Sequence, residues 1–165
     1  MNAFLHFRID LSPSWEPLDA ERTAHSEAAA RLYINPKERP SPYRVLWIGD
    51  KAGRNVALSV VPMPPDAPRD VERLVGRMKE VAAHQLASAT DVRYSEESVL
   101  LGDSIHKFAA FRISATIRDT QLVQSLQMTL ENGFLVTFTA TGSSDQDTSE
   151  ALQSLKKGLG WTITN

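Results

Sequence analysis

Residues 108–141, FAAFRISATIRDTQLVQSLQMTLENGFLVTFTAT, alternate apolar and polar side chains through three consecutive runs. Alternation at a period of two is the pattern of a half-buried strand. In the first run Phe111, Ile113, Ala115 and Ile117 oppose Arg112, Ser114, Thr116 and Arg118. The second carries Leu122, Leu126, Met128 and Leu130, with polar Gln124 intruding. The third sets Phe134, Val136, Phe138 and Ala140 against Leu135, Thr137, Thr139 and Thr141. The chain must therefore fold around a three-stranded antiparallel meander.

Parity decides which sides of these strands share a face, because a one-residue slip flips a whole strand. An Asp119-Thr120 loop, or a four-residue one, pairs Ile117 with Leu122 and Phe111 with Met128, and both apolar sets then meet one core. The next turn contains Asn132-Gly133, a hairpin signal. A two-residue loop there sends Phe134, Val136 and Phe138 to the face opposite Leu126 and Met128. A three-residue loop, Glu131-Asn132-Gly133, pairs Leu130 with Phe134 and keeps one apolar face. The expectation is the three-residue loop, with the Thr, Ser, Gln and Arg face at least partly wet.

Other strands are expected at residues 5–11, 29–34, 44–48, 55–61 and 92–101, the last either continuous or broken near Glu96-Glu97, with residues 44–48 and 55–61 forming a hairpin. Residues 16–28 fit either a short helix or a polar loop. Pro36, Pro40 and Pro42 make 35–43 a loop, and Pro62, Pro64, Pro65 and Pro68 do the same for 62–69. Val71, Leu74, Val75, Met78, Val81, Ala82 and Leu86 follow helical spacing through residues 70–87, with Asp66 or Asp70 as cap. A second helix is expected at about Thr148 to Leu159, with Ala151, Leu152, Leu155 and Leu159 as its stripe. The order gives a one-domain α+β fold over residues 1–165, with a mainly antiparallel sheet flanked by helices.

The order of these elements resembles the PsbP-like superfamily, which takes in PsbP, the Mog-type Ran-binding proteins and DcrB-like bacterial proteins. A strand ending in Pro and Trp (Phe7–Trp15) opens the chain, and a hairpin and Pro-rich break lead to one long helix. A meander ending GFLVTFTATG follows, then a helix ending near Trp161. The resemblance implies an αβα sandwich and no shared catalytic machinery. No family binding residue matches a position here.

The residues themselves suggest no chemistry. His6, His25, His84 and His106 have no metal-ligand spacing, and there is no cysteine. No serine sits in a nucleophile elbow. Gly49-Asp50-Lys51-Ala52-Gly53 lacks the spacing of a phosphate loop and reads as a hairpin turn. Glu96 and Glu97 are adjacent, so they face opposite sides of a strand, and Asp145, Asp147 and Glu150 suit a helix start. Eighteen basic and 20 acidic residues give a net charge of -2, which recruits neither nucleic acid nor an anionic membrane.

No apolar run is long enough for a membrane helix, so no membrane insertion is expected. MNAFLHFRIDL lacks the features of a signal peptide, which implies a cytoplasmic protein if Met1 is the native start and a cell-envelope protein otherwise. The expected function is a non-enzymatic adaptor or chaperone-like module that binds another protein, with no cofactor and with a homodimer allowed. Tyr43 and Trp47, beside the Pro-rich loop, are its candidate partner patch, and the loops 35–43 and 62–69 its expected location. Arg112 and Arg118 offer a second meeting point for an acidic partner. The alternative is a small-molecule or lipid pocket between the first helix and the sheet, lined by Met78, Phe111 and Met128.

Overall fold

The computed structural model describes residues 4–9, 15–17, 44–50 and 53–164. Nine strands and two helices lie among them. The strands are β1 (Phe4–Ile9), β2 (Trp15–Pro17), β3 (Arg44–Asp50), β4 (Asn55–Pro62), β5 (Thr90–Glu96), β6 (Phe108–Ile117), β7 (Thr120–Glu131), β8 (Phe134–Gly142) and β9 (Leu159–Thr164). Helix α1 spans Val71–Gln85 and helix α2 spans Asp145–Gly158. Seven strands form one antiparallel sheet in the order β2-β3-β4-β8-β7-β6-β5, and β1 pairs with β9 in a separate ribbon. The expected strand at 29–34, the loop at 35–43 and residues 18–28 of the open stretch 16–28 lie outside the described residues, whereas Glu16 and Pro17, read as helix or loop, belong to β2.

The meander is there, and both of its turns differ from expectation. Arg118 and Asp119 make the first turn, so Ile117 pairs with Thr120 and Phe111 with Leu126. That register is two residues away from the expected one, which preserves parity and leaves Phe111, Leu126 and Met128 on one face. The second turn is Asn132-Gly133 alone, and Glu131 pairs with Phe134. The three-residue loop is thus wrong. Both turns place their two residues at positive φ, 48° and 62° for Arg118 and Asp119, then 50° and 83° for Asn132 and Gly133. This mirror-image turn matches the twist of the flanking strands.

The shorter second turn sends Val136, Phe138 and Ala140 to the face opposite Leu126 and Met128, and a separate helix covers each face. Helix α1 lays Val71, Leu74 and Ala82 over Ala109, Phe111, Ile113, Leu126, Met128 and Leu135. Helix α2 lays Ala151, Leu152 and Leu155 over Val56, Leu58, Phe108, Val136, Phe138 and Ala140. The expected wet face is therefore a second core, where Ser125, Gln127 and Thr129 are buried beside Phe138 and Val136.

Both helices start on a capped turn. Asp70 accepts from the Glu72 amide and Ser144 from the Asp147 amide. Helix α2 begins three residues before the expected Thr148, because Ser144 rather than a later residue supplies the cap. Val81, placed in the α1 stripe by spacing, is 39 % exposed, since Ala82 takes the inward position at that turn. The β8–α2 junction is tight. A Cβ on Gly142 would lie 2.5 Å from Asp147 Cβ and 2.8 Å from the Thr148 amide.

Candidate functional site

The expected strand at 92–101 ends at Glu96. The chain then leaves the sheet edge and crosses the α2 face as a strap, residues 97–107, before entering β6. Leu101 in the strap packs into the α2 core with Phe108 and Phe138. Gln127 fixes it: its Oε1 accepts from the Leu100 amide at 2.9 Å and its Nε2 donates to the Ser98 carbonyl at 3.1 Å. Nearer β6, the Thr129 hydroxyl donates to the Lys107 carbonyl at 2.8 Å. These bonds explain polar residues in a buried layer, where unmet donors and acceptors are costly.

Arg112 holds the start of the strap to helix α2. Its Nε donates to Glu97 at 2.6 Å and its Nη1 to Asp145. Burial opposes the guanidinium charge, but the two carboxylates outweigh it and hold Arg112 above its ordinary value. The two acidic groups read separately from sequence thus converge on one arginine. They neutralise it, so Arg112 does not offer a free cation to an acidic partner. Arg118 lies apart, in the β6–β7 turn. Glu150 of α2 is bound by Arg54.

The far end of the strap is built around Asp103. Its Oδ1 accepts from the amides of Ile105 and His106 at 2.7 and 2.6 Å, and its Oδ2 lies 2.8 Å from His106 Nδ1. The bonds from the His106 amide and ring, then from the Ile105 amide, lower the carboxyl from 3.8 to about 2. His106 is buried, whereas Ile105 between them is 76 % exposed. Val99 is 47 % exposed, and its Cγ1 would be 2.9 Å from a Cβ on Gly102. The strap therefore folds compactly and holds an isoleucine out into solvent.

A groove lies at the same end of the sheet. Its volume is about 350 Å³, and it is lined by Met63, Pro64, Pro65, Ala67, Pro68, Leu130 and Gly133, with Arg69 beside them. Its shape follows from the Pro-rich loop. The Met63 amide makes a last ladder bond to the Gly133 carbonyl at 2.8 Å, and the prolines after it offer no further donors. The chain must leave the sheet there and arch to the α1 cap. Thr129, next to Leu130 on the groove floor, pairs with Phe108, three residues beyond Ile105. Lys107 reaches Glu72 in the first turn of α1 at 3.3 Å. The groove, the α1 start and the exposed isoleucine therefore share one end of the domain.

The loop 62–69 named from sequence borders this groove. Tyr43 lies outside the described residues, and Trp47 stands in β3 opposite Ala57. Met78, Phe111 and Met128 pack in the α1 core, where Phe111 and Met128 are 1 % and 0 % exposed. Ile105 escapes a reading by periodicity, because it follows a polar turn and has no alternating neighbours. Among the described residues no group of three or more His, Asp or Glu side chains could hold a metal ion, and no helix is long and apolar enough to cross a membrane.

No family model and no curated protein matches the chain. Solved structures do. The cyanobacterial PsbP (CyanoP) of Synechocystis sp. PCC 6803 superposes with a TM-score of 0.54 at 11 % identity, covering 96 % of this chain and 92 % of its own. LpqN of Mycobacterium tuberculosis, described as involved in cell envelope biogenesis, gives 0.49 at 13 % identity, covering 99 % and 86 %. The fold is PsbP-like.

Proposed function

We propose that this PsbP-like chain is a non-catalytic binding module that receives another protein at the end of the sheet formed by the 62–69 loop, the Asn132-Gly133 turn and the strap. The observation that carries the reading is the Met- and Pro-lined groove at the same end of the domain as the held-out Ile105. Protein interfaces are built from such apolar centres with polar rims, and Asp66, Arg69, Glu72 and Lys107 are exposed around this one. Two ionisable groups elsewhere are engaged in structural contacts: Arg112 is consumed by Glu97 and Asp145, and Asp147 is held below the usual carboxylate range by the Ser143 and Ser144 hydroxyls. Between α1 and the sheet, where a small ligand was the alternative, Phe111 and Met128 occupy the space.

A photo-crosslinking amino acid at Pro65 or, as control, at exposed Gln153 of α2 tests the proposal in the native cell. Adducts of defined mass at 65 and not at 153 are expected. Equal labelling at both positions, or none at 65, would sink it.

A further inference from the structure

Asn132 is the one asparagine in the chain that precedes a glycine; the others precede Ala, Pro or Val or end the chain. Before glycine, a side-chain carboxamide is most easily reached by the following backbone nitrogen, because no Cβ crowds that nitrogen and the backbone turns freely. Both residues are exposed at the tip of the β7–β8 hairpin. A Cβ built on Gly133 would meet nothing within 4 Å, so this side of the turn is open to water. Among the described residues no hydrogen bond leaves the Gly133 amide, while its carbonyl accepts from the Met63 amide at 2.8 Å. The nitrogen is thus accessible to hydroxide.

The turn itself holds the two groups apart. With φ of 50° and 83° it is the mirror image of a type I turn. In that turn ψ of the first central residue is about +30°, which sets Asn132 Cβ and the Gly133 nitrogen about 150° apart around the Cα–C bond. Ring closure needs them nearly eclipsed. Asn132 must therefore swing out of the turn before it can react, and the closed hairpin forbids that rotation.

We infer that Asn132 is a site of spontaneous deamidation, shut while the hairpin is closed and open when it frays. Once deprotonated, the Gly133 nitrogen attacks Cγ of Asn132. An N–Cγ bond forms, the Cγ–Nδ2 bond breaks, and Nδ2 takes up a proton and leaves as ammonia. Water then opens the five-membered imide, at Cγ to give aspartate or at the backbone carbonyl to give isoaspartate. Nothing is oxidised or reduced. In the isoaspartate product the main chain runs through Cβ and Cγ, one atom longer, and carries a new carboxylate. A two-residue turn cannot absorb that atom and keep Glu131 opposite Phe134. The Gly133 carbonyl then leaves the Met63 amide, and the groove wall at Gly133 shifts with it. The inference does not depend on what the groove binds.

The test holds the full-length chain at mildly alkaline pH, folded or in urea above its unfolding midpoint, and follows residue 132 by digestion and mass spectrometry. Aspartate and isoaspartate are expected at 132 in both, forming at least about tenfold more slowly in the folded chain. Product that forms as fast in the folded chain overturns the gating, and no product from the unfolded chain overturns the site. The isoaspartyl chain, separated chromatographically, is then compared with the unmodified chain and with Asn132→Asp, which adds the same charge without the extra atom and tolerates the left-handed turn. Asn132→Asp should keep the Met63 amide protected from hydrogen exchange, whereas the isoaspartyl chain should lose at least about tenfold of that protection. Equal protection in all three overturns the effect on the turn.

Discussion

Replacing Gln127 with leucine isolates what the buried amide does for the strap. Gln127 is 0 % exposed and makes two bonds to it, with the Leu100 amide and the Ser98 carbonyl. Leucine keeps the bulk but abolishes both bonds. At a net of about 1 kcal/mol each, their loss costs about 2 kcal/mol. If the strap stays closed, the half-buried Leu100 amide has lost its partner at a further cost. Opening of the strap lets water meet both groups and limits that penalty. Ser98 is already exposed, so its carbonyl recovers water readily. The expected outcome is a loss of about 2 kcal/mol in urea unfolding with an unchanged slope, a Tm lower by about 4–8 °C, and a local opening of residues 97–107. Two kcal/mol corresponds to about a 30-fold rise in amide exchange for those residues at pH 7. The added apolar surface of leucine lessens the global loss but does not restore the strap bonds, so exchange is the decisive reading. Unchanged exchange at 97–107, together with a stability change under about 0.5 kcal/mol, would refute the clamp.

Two further predictions concern the other fixed points. Gly142→Ala should destabilise by about 1–3 kcal/mol, the usual cost of overpacking, because its Cβ meets the backbone of Asp147 and Thr148 rather than a flexible side-chain end; neutral urea unfolding would contradict the tight junction. The Asp103 carboxyl should titrate at about 2 in carbon-detected NMR, not at 3.8. Since the folded value is depressed, its contribution to stability is complete above 3.8 and is lost as pH falls from about 3.8 to about 2. Asp103→Asn should therefore reduce stability at neutral pH and narrow its deficit through that window; a constant deficit with pH argues against the bonds to His106 and Ile105.

Much of the architecture was legible in the strand and helix periodicities. The meander, the β3–β4 hairpin, both helices and their layering on an antiparallel sheet follow from them. Parity misleads at Asn132-Gly133. The dipeptide itself favours the two-residue turn that forms, and only the premise of a single apolar face argues for a longer one. The Ala151, Leu152 and Leu155 stripe of α2 already requires a second surface, and Val136 and Phe138 provide it. Sheet faces cannot be assigned strand by strand when helices cover both.

The site was less legible because its contacts are long-range. Glu97 lies diagonally across from Arg112 only once Ser95 is known to pair with Arg112, and Asp145 arrives 33 residues later in sequence. Gln127 reads as one more polar residue on a wet face, and only the return of residues 98–100 over it gives it partners. Ile105 has no periodic neighbours at all. Its position is set by the Asp103 turn and by the buried His106, neither of which leaves a hydrophobic signature in sequence.

Strand β8 has a consequence for how the chain comes apart. Val136, Phe138 and Ala140 belong to the α2 core, while Leu135, between Phe134 and Val136, belongs to the α1 core. The two hydrophobic layers thus have a backbone in common, and β8 is the meander strand that pairs with β4. Pulling β8 out of register by one residue would exchange the contents of both layers at once. Neither layer can melt and leave the other intact, so loss of either helix's packing should propagate through this strand to the whole sheet as one cooperative transition.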